Sequence, residues 1–118
     1  MRSFFKTLAF CARARYNSNM KLQKIGTEGF IPPACVFGAP RHVQGAEVQT
    51  AENAVRIVSS GKFKRFPAGD ELLHIVRGTG FIKWARGETA FAAQETFRAE
   101  GLEEYELNGE GEFLVVRV

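Results

Sequence analysis

The chain predicts one small all-β domain, and three features of the sequence point there. Short extended segments recur about every eight to ten residues, the rhythm of an antiparallel sandwich or barrel. Turn residues separate them, drawn largely from 12 glycines and 4 prolines in 118 residues. From residue 20 onward hardly any stretch shows a helical period of apolar residues. A chain of this length buries one core and is too short for two.

The elements follow in order. Residues 1–19 form a leader or extension outside the domain, which spans residues 20–118. The leader is free of acids and carries Arg2, Lys6, Arg13 and Arg15 among Phe4, Phe5, Leu8 and Phe10, a composition found in presequences. Its apolar centre, residues 8–12, is cut short by Arg13, too early for a signal peptide. Met20-Lys-Leu-Gln-Lys-Ile reads equally as a natural start, so three readings stand open: a dispensable extension, a mitochondrial-type presequence, or an amphipathic arm. Residues 26–45, rich in Gly and Pro, predict an extended N-terminal arm that crosses or edges the sheet. Residues 46–53 predict a helical turn.

Strands are predicted at Val55–Val58, Phe63–Phe66, Leu72–Arg77, Gly80–Ala85, Thr89–Ala92, Glu103–Leu107 and Glu112–Val118. The turns between them are Ser59-Ser-Gly61, Pro67-Ala-Gly-Asp70, Gly78-Thr-Gly80, Arg86-Gly87 and Asn108-Gly-Glu-Gly111, where glycine supplies the positive φ of a tight hairpin. Alternation sorts the faces: Leu73, Ile75 and Arg77 oppose Leu72, His74 and Val76, while Ile82 and Trp84 oppose Phe81 and Lys83. The expected product is a small barrel or jelly roll of two antiparallel sheets, with each strand filled on one side and wet on the other. Eleven phenylalanines against two tyrosines suit core filling.

Charge and cysteine narrow the function classes. The net charge of +3 comes from 16 basic and 13 acidic residues, but four of the cations lie in residues 1–19, so the domain itself is close to neutral. Nucleic acid is therefore not an expected partner, and no apolar run reaches the roughly 20 residues that span a bilayer. Cys11 and Cys35 have no metal or disulfide spacing around them. Two reduced thiols fit a cytoplasmic location, with an organelle as the alternative if residues 1–19 are a presequence.

Two spacings carry a family resemblance. Glu71 and Gly78, with six residues between them, match the close of the first cupin motif, G-x5-H-x-H-x3/4-E-x6-G. The second motif, G-x5-P-x-G-x2-H-x3-N, can be laid from Ala93. Ala99 then stands at its proline, Glu104 at its histidine, and Gly101 and Asn108 match. The chain resembles the cupins, and roughly its last 65 residues most resemble the C-terminal cupin domain of class I mannose-6-phosphate isomerases. The resemblance implies a jelly roll and a sugar-related ligand. In the family a metal would sit on histidines and one carboxylate, a donor set suited to Fe, Mn, Ni or Zn. Here the first two histidine positions hold Arg65 and Pro67, or Lys64 and Phe66, and the third holds Glu104. The expectation is therefore no metal and no cofactor. In the two-domain isomerases the zinc belongs to the other cupin.

A ligand site, if the barrel has one, is expected at its mouth. Lys64, Arg65, Arg77 and Lys83 lie in segments the fold brings near one another, with Trp84 as a ring for stacking. They read either as a cationic site for a sugar phosphate or carboxylate, or as outward positions paired across the sheet with Glu103, Glu106 and Glu112. His74, Glu71 and Glu104 are the weak candidates for proton transfer. The leading functional expectation is a non-catalytic, metal-free module that binds a sugar or sugar phosphate or another protein, as a homodimer. The alternative is a metal-free sugar-phosphate isomerase or epimerase.

Overall fold

The computed structural model describes residues 21–27 and 29–118. The expectation for residues 1–19 lies outside the described residues. Among those described there are nine strands and no helix: β1 (Lys21–Gly26), β2 (Arg41–Val43), β3 (Ala46–Thr50), β4 (Ala54–Ser59), β5 (Lys62–Arg65), β6 (Glu71–Trp84), β7 (Gly87–Phe91), β8 (Thr96–Glu100) and β9 (Tyr105–Arg117). The domain is all-β, as the spacing of its segments predicts. No helix there is long and apolar enough to cross a membrane.

The strands form one antiparallel sheet in the order β1-β8-β6-β9-β4-β3-β2, with β5 added to β9 and β7 added to β6. Two sheets were the expectation. What joins them is the length of β6 and β9, 14 and 13 residues, each of which serves both halves. The first half of β6 pairs with β8 and its second half with β7. Correspondingly, β9 takes β5 along its first half and β4 along its second. The barrel is not closed.

Two predicted turns are therefore corrected. Gly78-Thr-Gly80 and Asn108-Gly-Glu-Gly111 lie inside β6 and β9, where Gly78 faces Gly111 and Gly80 faces Gly109. These glycines serve close approach rather than chain reversal. A Cβ on Gly111 would stand 2.6 Å from the Arg77 carbonyl oxygen, and one on Gly78, whose φ is 107°, would overlap the Glu110 carbonyl. The backbones cross here with no room for side chains.

The third correction concerns residues 46–53, which begin as β3 instead of a helical turn. Ala46 and Val48 are buried while Glu47 between them is exposed, so a period of two meets the core and overrides the helix propensity of Ala, Glu and Gln. The arm is also shorter than predicted, because Arg41–Val43 pairs with β3. Strands β1 and β8 were not anticipated; they pair with each other, and β8 pairs onward to β6.

The core is one cluster in which Leu73, Ile75, Ile82, Phe97, Leu107 and Phe113 are fully buried. Leu73 and Ile75 face inward as the alternation predicts, but Arg77 does not follow them. Between Glu112 and Phe113 of β9 the register with β6 slips by one residue, a β-bulge at Val76 that reverses the phase of β6. Inward positions are odd before it and even after it, which places Arg77 outside and Ile82 inside. The turn before β8 secures the bulge: Glu95 accepts the Ile75 N–H at 2.8 Å, and the Gln94 side-chain amide donates to the Val76 carbonyl at 3.0 Å.

Candidate functional site

The eight residues singled out from the sequence fall in four places. Lys64, Lys83, Trp84 and Glu104 line one open cavity of about 220 Å³, together with Ala85, Tyr105 and Glu106. Arg65 and Glu71 form an ion pair below it. Arg77 lies on the outer face beside Glu112, and His74 is buried under the arm.

The cavity is assembled by register. Glu106 of β9 stands opposite Lys64 of β5 on one side and Lys83 of β6 on the other. Because Phe63, Leu107 and Ile82 occupy the inward positions next to them, the polar three form a stripe across the outward face of three strands. Glu104 from the preceding loop reaches the Lys64 ammonium at 3.6 Å. Asn108 donates to Glu106 at 3.1 Å. Trp84 closes one end, half-buried against the core; Gly87, across the hairpin, lacks the side chain that would press on its ring, since a Cβ there would come within 3.2 Å.

Directly beneath, β5, β6 and β9 converge on a buried polar cluster. Arg65 grips Glu71 with two donors, Nε to Oε2 at 3.2 Å and an Nη to Oε1 at 3.0 Å. The Tyr105 hydroxyl donates to the same carboxylate at 2.6 Å. Burial raises the Tyr105 pKa well above the usual 10, and the Glu71 charge beside it adds to the effect. For Arg65, burial pulls the pKa down, but the Glu71 bonds outweigh it and leave the guanidinium more basic than usual. The Glu71 carboxylate thus already accepts three hydrogen bonds, two on Oε2 and one on Oε1, which fix it in place as the hub of the cluster. Tyr105 had no part in the sequence-based expectations. Its place opposite Arg65 in the register is the signal that finds it.

His74 sits on the opposite face of β6 from its inward residues. Its Nδ1 is 2.8 Å from the Thr96 hydroxyl, and the Phe30 ring stacks on it, centroids 4.1 Å apart and planes within 5°. Burial lowers its pKa, and it stands apart from both Glu71 and Glu104. The Arg77 guanidinium lies 3.4 Å from Glu112, which also accepts Arg56 at 2.6 Å. Three of the six basic side chains of β4 to β6 thus find carboxylates on β9 or in the loop before it, Arg56 and Arg77 on Glu112 and Lys64 on Glu104, whereas Arg65 pairs with Glu71 of β6; the partners of Lys64 and Arg65 are not those anticipated. Among the described residues no three His, Cys, Asp or Glu side chains gather as metal ligands.

No protein-family model matches the chain, and no curated protein matches it. Solved structures do. Mannose 6-phosphate isomerase from Bacillus subtilis superposes with a TM-score of 0.59 at 9% identity, over 75% of this chain and 30% of that one. Phosphomannose isomerase from Salmonella typhimurium is similar at a TM-score of 0.54 and 10% identity, both as a point mutant and as the structure bound to its substrate fructose 6-phosphate and zinc. Those two cover 68% of this chain and 23% and 22% of theirs. At such identities the likeness is one of fold, and the chain spans less than a third of the length of the isomerases it resembles.

Proposed function

We propose that the chain is a cupin-type binding module without catalytic function, and that its ligand is a neutral carbohydrate held in the cavity at Lys64, Lys83 and Trp84. The observation that carries this reading is the lining itself: two lysines, Glu104 and Glu106, and one indole around about 220 Å³. Sugar hydroxyls need donors and acceptors in alternation, and an apolar ring face needs an aromatic partner. The cations are matched in number by carboxylates, so a phosphate gains little net attraction there. The fold shared with sugar-phosphate isomerases supports a sugar-related role.

The catalytic alternative finds less support. Proton transfer needs a base that is free and within reach of substrate, whereas Glu71 already accepts three hydrogen bonds, His74 lies under Phe30, and Glu104 is paired with Lys64 on the rim.

Trp84 is the only tryptophan in the sequence, so intrinsic fluorescence reports on this cavity directly. Titration with D-mannose is expected to change that fluorescence and raise the melting temperature at millimolar sugar, with D-mannose 6-phosphate and D-fructose 6-phosphate binding no better. A strong, salt-sensitive preference for the phosphorylated sugars would replace the neutral ligand with an anionic one. No response to any of them would remove the carbohydrate reading.

A further inference from the structure

The turn between β2 and β3 contains a residue whose side-chain contacts lie outside the hairpin itself. Gln44 and Gly45 both take positive φ, 54° and 81°, the geometry of a two-residue hairpin loop that favours Asn-Gly or Gly-Gly. Glutamine is an unfavourable choice for the first of these positions. Its side chain explains the choice. The amide Nε2 donates to the Lys64 carbonyl at 2.9 Å, and the Lys64 N–H donates to the amide oxygen at 2.9 Å.

Donor and acceptor of one primary amide thus bond both backbone groups of one residue, as a neighbouring strand would. The position matters because β5 is only four residues long and has β9 on its other side. On this side no strand among the described residues pairs with it, and a second cavity of about 230 Å³ separates it from the β2–β3 hairpin, with Gln44, Lys64 and Phe66 in its walls. Lys64 lines both this cavity and the rim cavity.

We propose that Gln44 is a positioning residue for the binding site: its amide acts as a one-residue strand that bridges the opening in the sheet and fixes the β5 backbone, holding Lys64 in line with Glu106 and Lys83. This rests on the carbohydrate reading for its functional consequence, but its structural half stands without a ligand. The shape of the opening explains the residue type. Asparagine would suit the turn better but is one methylene shorter, and glycine would suit it best but has no amide.

Two variants separate the roles. Gln44→Gly and Gln44→Asn both keep or improve the turn while removing the bridge, so the fold is expected to survive with little change in melting temperature. The Lys64 amide, followed by hydrogen exchange, is expected to lose at least tenfold of its protection in both, with Ile57 and Leu107 unaffected. D-mannose binding, followed by Trp84 fluorescence, is expected to weaken about threefold to tenfold, with Gln44→Glu intermediate because a carboxylate accepts the Lys64 N–H but cannot donate to its carbonyl. Unchanged Lys64 protection in either variant overturns the proposal. So does lost protection with unchanged mannose affinity, which would leave the bridge structural only. If the wild-type protein binds no sugar, the carbohydrate reading falls by itself. The positioning claim is then decided by Lys64 protection together with the NMR shift of its ¹³C-methylated ammonium, which must move in Gln44→Asn and whose constancy would reject it.

Discussion

Arg65–Glu71–Tyr105 and Lys64–Glu106–Lys83 begin one residue apart on β5 and draw on the same kinds of group, yet they end in opposite conditions. In the first, Glu71 and Tyr105 are buried and the carboxylate accepts three hydrogen bonds from the protein. In the second, Lys83 is exposed, Lys64 is half-buried, and the ion pair of Lys64 with Glu104 is long and solvated. The alternation of a strand sends neighbouring residues to opposite faces, and burial then decides what each cation does. A buried charge must be satisfied by the protein or it destabilises the fold; an exposed charge contributes little to stability and remains available to a ligand. Chemical type alone therefore gives no guide to which cations line the open cavity.

The largest test of this contrast is Glu71→Ala. It leaves the half-buried Arg65 guanidinium and the buried Tyr105 hydroxyl without their shared acceptor, and a loss of about 3–5 kcal/mol is expected, read from the urea unfolding midpoint. A loss below about 1 kcal/mol would show that the cluster is wetter than its geometry implies.

Tyr105→Phe is expected to lose less, about 1–3 kcal/mol, because Arg65 still holds Glu71. It also tests the sign of a pH effect. The folded protein keeps the Tyr105 hydroxyl protonated above the usual 10, so the unfolded chain loses that proton first. Stability is then full below pH 10 and falls as pH rises beyond it. The phenylalanine variant lacks that component of the alkaline loss, and a wild-type-like alkaline profile in it would contradict the assignment.

A smaller effect, confined to acid, is expected at His74, a buried residue that is neutral where Arg65 is charged. Its pKa is lowered by burial, so the unfolded chain takes up the proton first as pH drops below about 6.5, the ordinary histidine value. Stability is full above that pH and declines beneath it. Melting temperatures between pH 7 and pH 5 should show that decline in the wild type and a flatter profile in His74→Gln.

The smallest effect belongs to the rim. Lys64→Ala and Glu104→Ala should each change stability by less than about 1 kcal/mol, with a coupling in the double-mutant cycle of about 0.5 kcal/mol or less. Their mannose titrations, in contrast, should weaken clearly. A coupling as large as that expected for the buried cluster would erase the distinction between the two regions.

Some of this was legible before any coordinates. Tyr105, Leu107, Phe113 and Val115 share one parity, with Gly109 and Gly111 filling the steps between them, so β9 announces itself as one strand to a reader who lets alternation outrank the glycine turn signal. Of Lys64, Arg65, Arg77 and Lys83, which the sequence expected near one another, the structure gathers Lys64 and Lys83 in one cavity and sends Arg65 to Glu71 and Arg77 to Glu112. The bulge at Val76 left no trace in the sequence, since it depends on the Gln94–Glu95 turn bonding across to β6. For the same reason Arg77 was assigned to the wrong face, and the pairing of Arg65 with Glu71 and Tyr105 went unseen.

The sequence by itself determined the all-β class, the positions of most strands and the near-neutral charge of the domain, because those depend on side-chain period and turn chemistry within a few residues of chain. Tertiary structure alone decided that β6 and β9 run unbroken through their glycines, that Glu71 is enclosed while Lys83 is open, and that Gln44 reaches Lys64. Each of these is set by contacts between residues far apart in sequence, where register, bulges and burial are fixed by the whole sheet and by no local segment of it.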